Sequence, residues 1–230
     1  MSRTAVIVGV GPGLGMSIAH RFGREGFAVA LISRTRHDEY LRQLADAGVK
    51  AEAFAADVTD PDHLKSTLDK IGPADVVYYG PAFANFDTPM TSLDKATADD
   101  VRAGMTGVYP VVDVVSHTLP AMLERGEGTF LVAGGLSAVQ PMPMLGSLAV
   151  SAAALRNYVL TLNATVADKG VHAANLIIGG LVERGDIHAH VQANEDRYGP
   201  IPTLNPDDIA ETAWDIHVKR DRAEEIFSAL

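Results

Sequence analysis

The sequence predicts an α/β fold: a doubly wound parallel sheet of about seven strands, flanked by helices on both faces. Three observations predict it. Short apolar, β-branched runs alternate with helical patterns along the whole chain. The first run, Thr4-Ala-Val-Ile-Val8, passes straight into glycines at 9, 11, 13 and 15, then into a helical pattern carrying Ile18, Ala19 and Phe22. A length of 230 residues with 47% hydrophobic composition suits one domain, spanning 1–230, around a large core.

The elements follow in order. Ala28–Ser33 reads as the second strand. Asp38–Ala47 reads as a helix, with Tyr40, Leu41 and Leu44 on one face and Gly48 as its stop. Ala51–Ala55 is a third strand, and Asp60 caps a helix that starts at Pro61 and ends near Ile71. Val76–Tyr79 is the fourth strand. Thr97 caps a long helix over Ala98–Arg125, bent near Pro110. Thr129–Ala133 is the fifth strand. In the Pro/Met-rich loop that follows, Met142, Met144 and Leu145 suit either an apolar pocket wall or packing within the loop. Ser147–Ala167 is an apolar helix and Ala174–Ile178 the sixth strand. Leu181–Leu204 is polar, with Gly, Pro and His, and reads as a loop or substrate lid. Asn205-Pro206 opens the last helix, to Lys219, and Ile226-Phe227 forms a short final strand.

Composition narrows the function. A formal net charge of −10 disfavours nucleic acid and anionic membranes as partners. The absence of cysteine removes disulfides, thiolate metal sites and a Cys nucleophile. No apolar run approaches the ~20 residues of a membrane span, and the first residues do not read as a signal peptide, so a cytoplasmic protein is expected. His188-Ala-His190 has no third ligand at a suitable spacing, so no metal is expected. His117 on the long helix reads as a packed or solvent-edge residue rather than a base. Gly135-Leu-Ser137-Ala-Val139 lacks the final glycine of a nucleophile elbow, which argues against a serine hydrolase.

The strand–glycine turn–helix unit presents bare backbone N–H groups and a positive helix end to an anion. A phosphate loop of the Lys-Ser/Thr type fails, because Met16 stands before Ser17. The G-x-G-x-x-G pattern fails, because from Gly9 its last glycine falls on Leu14. G-x-x-x-G-x-G fits, as Gly9, Gly13 and Gly15. The expected anion is a dinucleotide pyrophosphate, held by Gly9, Gly13, Leu14 and Gly15. The second strand ends in Ser33-Arg34-Thr35-Arg36, with no carboxylate before Asp38. In dinucleotide folds an acid there binds the ribose 2′-hydroxyl and repels a 2′-phosphate. A hydroxyl and a guanidinium suit the phosphate instead, so NADP(H) is expected over NAD(H), with Ser33 and Arg34 as its ligands.

The Gly9/Gly13/Gly15 loop, Asp57, and the stretches Asp75–Ala82, Gly128–Val132, Ser151–Arg156 and Asn175–Gly180 resemble, in order and spacing, the short-chain dehydrogenase/reductase family. The resemblance implies a Rossmann-type fold and a small-molecule substrate. It implies that Asp57 and Val58 frame the adenine, and that Gly80, Pro81 and the Gly180-Leu181-Val182 turn line the ribose and nicotinamide. It also implies a homodimer or homotetramer built from the long helices. The family's usual acid is a tyrosine whose pKa a lysine lowers from ~10, and which protonates the carbonyl oxygen as hydride arrives. Matching the stretches puts Gly104 at the usual Asn, Gly135 at the Ser, Leu148 at the Tyr and Ala152 at the Lys. No Tyr or Lys occurs between Arg125 and Arg156. Replacement candidates are Tyr79, Ser137 and Ser147. Two readings stand. One is an atypical NADP(H)-dependent oxidoreductase reducing a small apolar carbonyl, imine or activated alkene; the other is a catalytically inactive NADP(H)-binding sensor or scaffold.

Overall fold

Strand β1 (Thr4–Val8) stands near the middle of a seven-stranded sheet in the computed structural model, which describes residues 3–80 and 90–229. The elements in order are α1 (Leu14–Arg24), β2 (Ala28–Ser33), α2 (Asp38–Asp46), β3 (Ala51–Ala55), α3 (Pro61–Ile71), β4 (Val76–Tyr79), α4 (Ala98–Met105) and α5 (Tyr109–Arg125). Then come β5 (Gly128–Gly135), α6 (Ser147–Val166), β6 (Val171–Gly179), β7 (Leu181–Val182), α7 (Asp186–Gln192), α8 (Glu195–Tyr198), β8 (Thr203–Leu204), α9 (Pro206–Lys219) and β9 (Glu224–Ser228).

The sheet order is β3-β2-β1-β4-β5-β6-β9, with every pairing parallel. From β1 the chain winds outward to β3, then crosses back to β4 on the other side of β1. The loops that leave β1 and β4 therefore part, and a crevice opens at their carboxyl ends. Val8 is level there with Ile32 of β2 and Tyr79 of β4.

Both sheet faces are covered, which is why the strands read as continuous apolar runs. Alternate residues serve alternate faces. Ile7, Leu31, Tyr78 and Leu176 pack with Ile18 and Phe22 of α1 and Ile209, Ala213 and Ile216 of α9. Val6, Val8, Val77, Tyr79 and Phe130 pack with Leu64 of α3, Val111 and Val115 of α5, and Leu155 and Val159 of α6. Side-chain caps start the helices where expected: the Asp60 carboxylate accepts from His63 N, and Asn205 from Asp207 N.

The long helix expected over Ala98–Arg125 is two helices. Thr97 and Asp100 form a capping box at α4. The chain then tightens: Thr106, Gly107 and Val108 donate to carbonyls three residues back, and the Thr106 hydroxyl donates to Ala103 O. Pro110 follows in the first turn of α5, where its missing N–H costs nothing. Leu181–Leu204 is not an irregular loop. It holds β7 and β8, paired parallel in a second small sheet, and the short helices α7 and α8. Met144 is 69% exposed, so it faces outward rather than walling a pocket. Among the described residues, no helix is long and apolar enough to cross a membrane.

Candidate functional site

The glycine turn is built by its hydrogen bonds. Gly9 N and Val10 N both donate to Ile32 O, at 2.9 and 3.1 Å, which bends the chain sharply off the end of β1. Gly9 has φ +81, where a side chain would be strained. At Gly15 the requirement is closeness: a Cβ there would lie 2.9 Å from Val10 Cα. The α1 ladder begins with Met16 N→Gly11 O and Ser17 N→Gly13 O, both 3.1 Å. The amides of Leu14 and Gly15 precede it and point out of the positive end of α1. The first turn of α1 holds no acidic residue. This is an anion cradle of the kind that a pyrophosphate fits.

At the end of β2, Ser33 Oγ donates to Thr35 O at 2.6 Å. Arg36 pairs with Asp38 at 3.0 Å. Arg34 is exposed, and its charge reaches Asp57. The Thr59 amide and hydroxyl donate to Asp57 Oδ1 at 2.9 and 2.7 Å. These bonds hold the Asp57 carboxyl below the ordinary range, with Arg34 helping. Val58 beside it is half-buried against the core. Ala56 N donates to Ser33 O, so the ends of β2 and β3 lie side by side.

Across the crevice, Gly80 N donates to Val8 O at 2.9 Å. A Cβ on Gly80 would fall 2.0 Å from the Tyr78 hydroxyl, so the phenol lies directly under this glycine. Pro81 lies outside the described residues. Leu181 N donates to Pro202 O and Glu183 N to Leu204 O, which anchors the turn after β6 to β8. That anchoring brings the backbone of Glu183 and Gly185 against Gly13. The glycine turn, Gly80 and the Gly180–Val182 turn thus leave the carboxyl ends of β1, β4 and β6, and Ser33, Arg34, Asp57 and Val58 form the outer end.

On the far side, α4 packs on α6. A Cβ on Gly104 would lie 3.2 Å from Ser151 Oγ and 3.5 Å from Ser147 O. Leu148 and Ala152 are half-buried on α6. A Cβ on Gly135 would lie 3.7 Å from Ser137 Oγ, and Ser137 itself is half-buried. Ser147 is 2% exposed and its N–H donates to Thr91 O. Tyr79 is also 2% exposed; burial, with the Asp113 charge second, pushes its phenol well above the ordinary range. His117 lies 3.2 Å from Asp69. Among the described residues, no group of three or more potential ligands surrounds His188 and His190.

Sequence reasoning missed two features. Tyr78 is one; its signal is Gly80 two residues on, on the same face of the strand. The other is a cluster of Ser17, Arg184 and Asp207, whose members are 167 and 190 residues apart and leave no local signal.

A family model described as short chain dehydrogenase matches residues 3–196. The chain belongs to the short chain dehydrogenase family. Serine 3-dehydrogenase of Rhizobium radiobacter is 28% identical over 226 residues, covering 92% of this chain and 86% of that protein. A 2-(S)-hydroxypropyl-CoM dehydrogenase of Xanthobacter autotrophicus is 27% identical over 221 residues, 89% of this chain and 85% of that one. Among solved structures, L-sorbose reductase from Gluconobacter frateurii, complexed with NADPH and L-sorbose, superposes with a TM-score of 0.80 at 20% identity, covering 99% and 95% of the two chains. A 3-oxoacyl (acyl-carrier-protein) reductase from Agrobacterium tumefaciens with NADP bound gives 0.81 at 20% identity, over 98% and 92%. These likenesses extend the doubly wound fold over nearly the whole chain of this family member.

Proposed function

We propose that the protein is an NADP(H)-dependent oxidoreductase with an atypical active site, reducing a small apolar carbonyl, imine or activated alkene. The observation that carries this is the pair of Leu14 and Gly15 amides at the start of α1, ahead of its hydrogen-bond ladder and with no acidic residue in the first turn of the helix. Gly9, Gly13 and Gly15 shape that turn. Ser33 and Arg34 suit the 2′-phosphate, since no carboxylate stands there to repel it. Asp57 and Val58 would frame the adenine, and Gly80 and Gly180–Val182 the ribose and nicotinamide. The NADPH and NADP bound in the similar solved structures agree with this preference.

The cofactor would supply the hydride. The chain would supply position and polarity. The positions of the family's usual Asn, Ser, Tyr and Lys are Gly104, Gly135, Leu148 and Ala152. Of the replacement candidates, Ser137 is the one whose hydroxyl lies near the side-chain space of Gly135 and is not sealed in the core. We assign it to orienting the acceptor atom, with water delivering the proton. Burial argues against Tyr79 and Ser147. Leu181–Leu204 would serve as the substrate lid of a single domain. Exposed Tyr109, Val112 and Val150 on α5 and α6 favour a homodimer or homotetramer through these helices.

The test is a fluorescence titration with NADPH and, separately, NADH. Tight NADPH binding that Arg34→Ala weakens about tenfold, with NADH little changed, supports the assignment. Binding of neither removes it. The close packing of α4 on α6 at Gly104 favours the sensor reading, because it removes side-chain space on that side of the crevice. NADPH consumption with any ketone, imine or activated alkene, slowed by Ser137→Ala, decides for the enzyme. Tight binding without consumption across all three classes decides for the sensor.

A further inference from the structure

Arg184 has φ +65, one of two non-glycine residues with positive φ among the described residues. It is the third residue of a turn closed by Gly185 N→Val182 O at 3.2 Å. A glycine would sit there freely; an arginine needs something to hold it. Its guanidinium is 2.8 Å from Asp207 Oδ1 and donates to Ser17 Oγ at 3.1 Å. Ser17 in turn donates to Asp207 Oδ1 at 2.8 Å. Three elements meet in this cluster: the turn after β7, the first turns of α1, and the start of α9.

The cluster holds the strap 182–186 down on the glycine turn. Glu183 O and Gly185 N lie 2.9 and 3.0 Å from where a Cβ on Gly13 would stand. Asp186 Oδ2 lies 3.9 Å from the same point on Gly11. Gly13 is consequently buried. The strap backbone stands over the turn at Gly13, and the Asp186 carboxylate stands beside Gly11. A phosphate-bearing ligand meets both a steric and an electrostatic obstacle while the strap is down. The fastening itself is weak. The Arg184 and Asp207 side chains are 52% and 59% exposed, so solvent screens the pair and it can open readily.

We infer that Arg184 is the latch of a gate: fastened to Asp207 and Ser17 it closes the strap 182–186 over the phosphate turn, and its release admits the dinucleotide. The gate rests on the dinucleotide reading above, and the experiment separates the two. Arg184→Asn keeps a residue that tolerates positive φ but cannot reach Asp207. Asp207→Asn weakens the latch from the other side. Hydrogen exchange at the amides of residues 181–186, measured without cofactor, should speed up about threefold to fivefold in both variants. Stopped-flow NADPH association should accelerate by a similar factor with release unchanged, so the apparent affinity should rise by that factor. High salt should reproduce the effect in the wild type and add little in Arg184→Asn.

Unchanged exchange in both variants overturns the latch. Faster exchange with an unchanged NADPH association rate overturns the gate. Faster release but slower association in Arg184→Asn, with Asp207→Asn unaltered, overturns it in favour of Arg184 as a direct phosphate ligand. Faster exchange with no NADPH binding by the wild type overturns the dinucleotide reading and leaves the latch standing.

Discussion

The two sides of the crevice use small residues in opposite ways. Around β1 and α1, glycine keeps side chains away so that backbone amides stay available: Gly9 takes a positive φ, Gly15 lets α1 start against Val10, and the Leu14 and Gly15 amides remain outside the helix ladder. Around β5 and α6, small residues let protein meet protein: Gly104 lets α4 settle against Ser147 and Ser151. The first arrangement holds donors for a ligand that enters when the strap 182–186 lifts; the second leaves no side-chain space. A glycine-rich site is therefore read from what the neighbouring atoms do, not from the glycine alone.

The largest expected effect is on the first side. Gly13→Val fills the space over the turn that a pyrophosphate would take once the strap lifts, so it should weaken NADPH binding at least about hundredfold, or about 3 kcal/mol, in the fluorescence titration. Retained affinity would mean that the turn is less exacting than its geometry. A smaller effect is expected on the second side. Gly104→Asn must push α6 away, at about 1–3 kcal/mol, read as a lower urea midpoint. An unchanged midpoint would show a yielding contact there and would erase the contrast between the two sides.

The smallest effect lies at the opposite, amino-terminal end of the sheet and serves as the control. His217 Nδ1 lies 2.9 Å from Thr129 Oγ1, among Phe22, Phe27 and Trp214. Burial, then the Arg220 charge, lowers its pKa to about 4 from 6.5. The folded state thus holds His217 neutral. Its stabilising contribution is complete above the unfolded pKa and is lost as pH falls from 6.5 toward 4. His172 shifts in the same direction, mainly through burial. Urea midpoints should drop between pH 7 and pH 5, and drop less in His217→Gln. An equal drop in that variant would move the acid sensitivity elsewhere.

The legible parts of the chain were those whose signals are local. Val6, Ile7 and Val8 are buried on both sheet faces, and so spell a strand by composition alone. The Asp60 and Thr97 caps announce their helices. Tyr78 and Tyr79 show the limit: alternation puts Tyr78 on the face of Gly80, but with both faces apolar nothing in Val-Val-Tyr-Tyr tells which helices each phenol meets. The break between α4 and α5 depends on short-range bonds at Thr106–Val108 that a helical periodicity overruns.

By itself, the sequence determined the parallel sheet, the order of its strands along the chain, and the glycine turn poised before α1. These follow from side-chain periodicity and from backbone freedom at glycine, both properties of a few adjacent residues. The tertiary structure alone decided that Glu183–Asp186 lies on that turn, that Arg184 meets Asp207 and Ser17, and that α4 closes on α6. Each of these joins residues far apart in the chain. Contacts of that kind are selected by the packing of the whole sheet and its helices, and no local pattern encodes them.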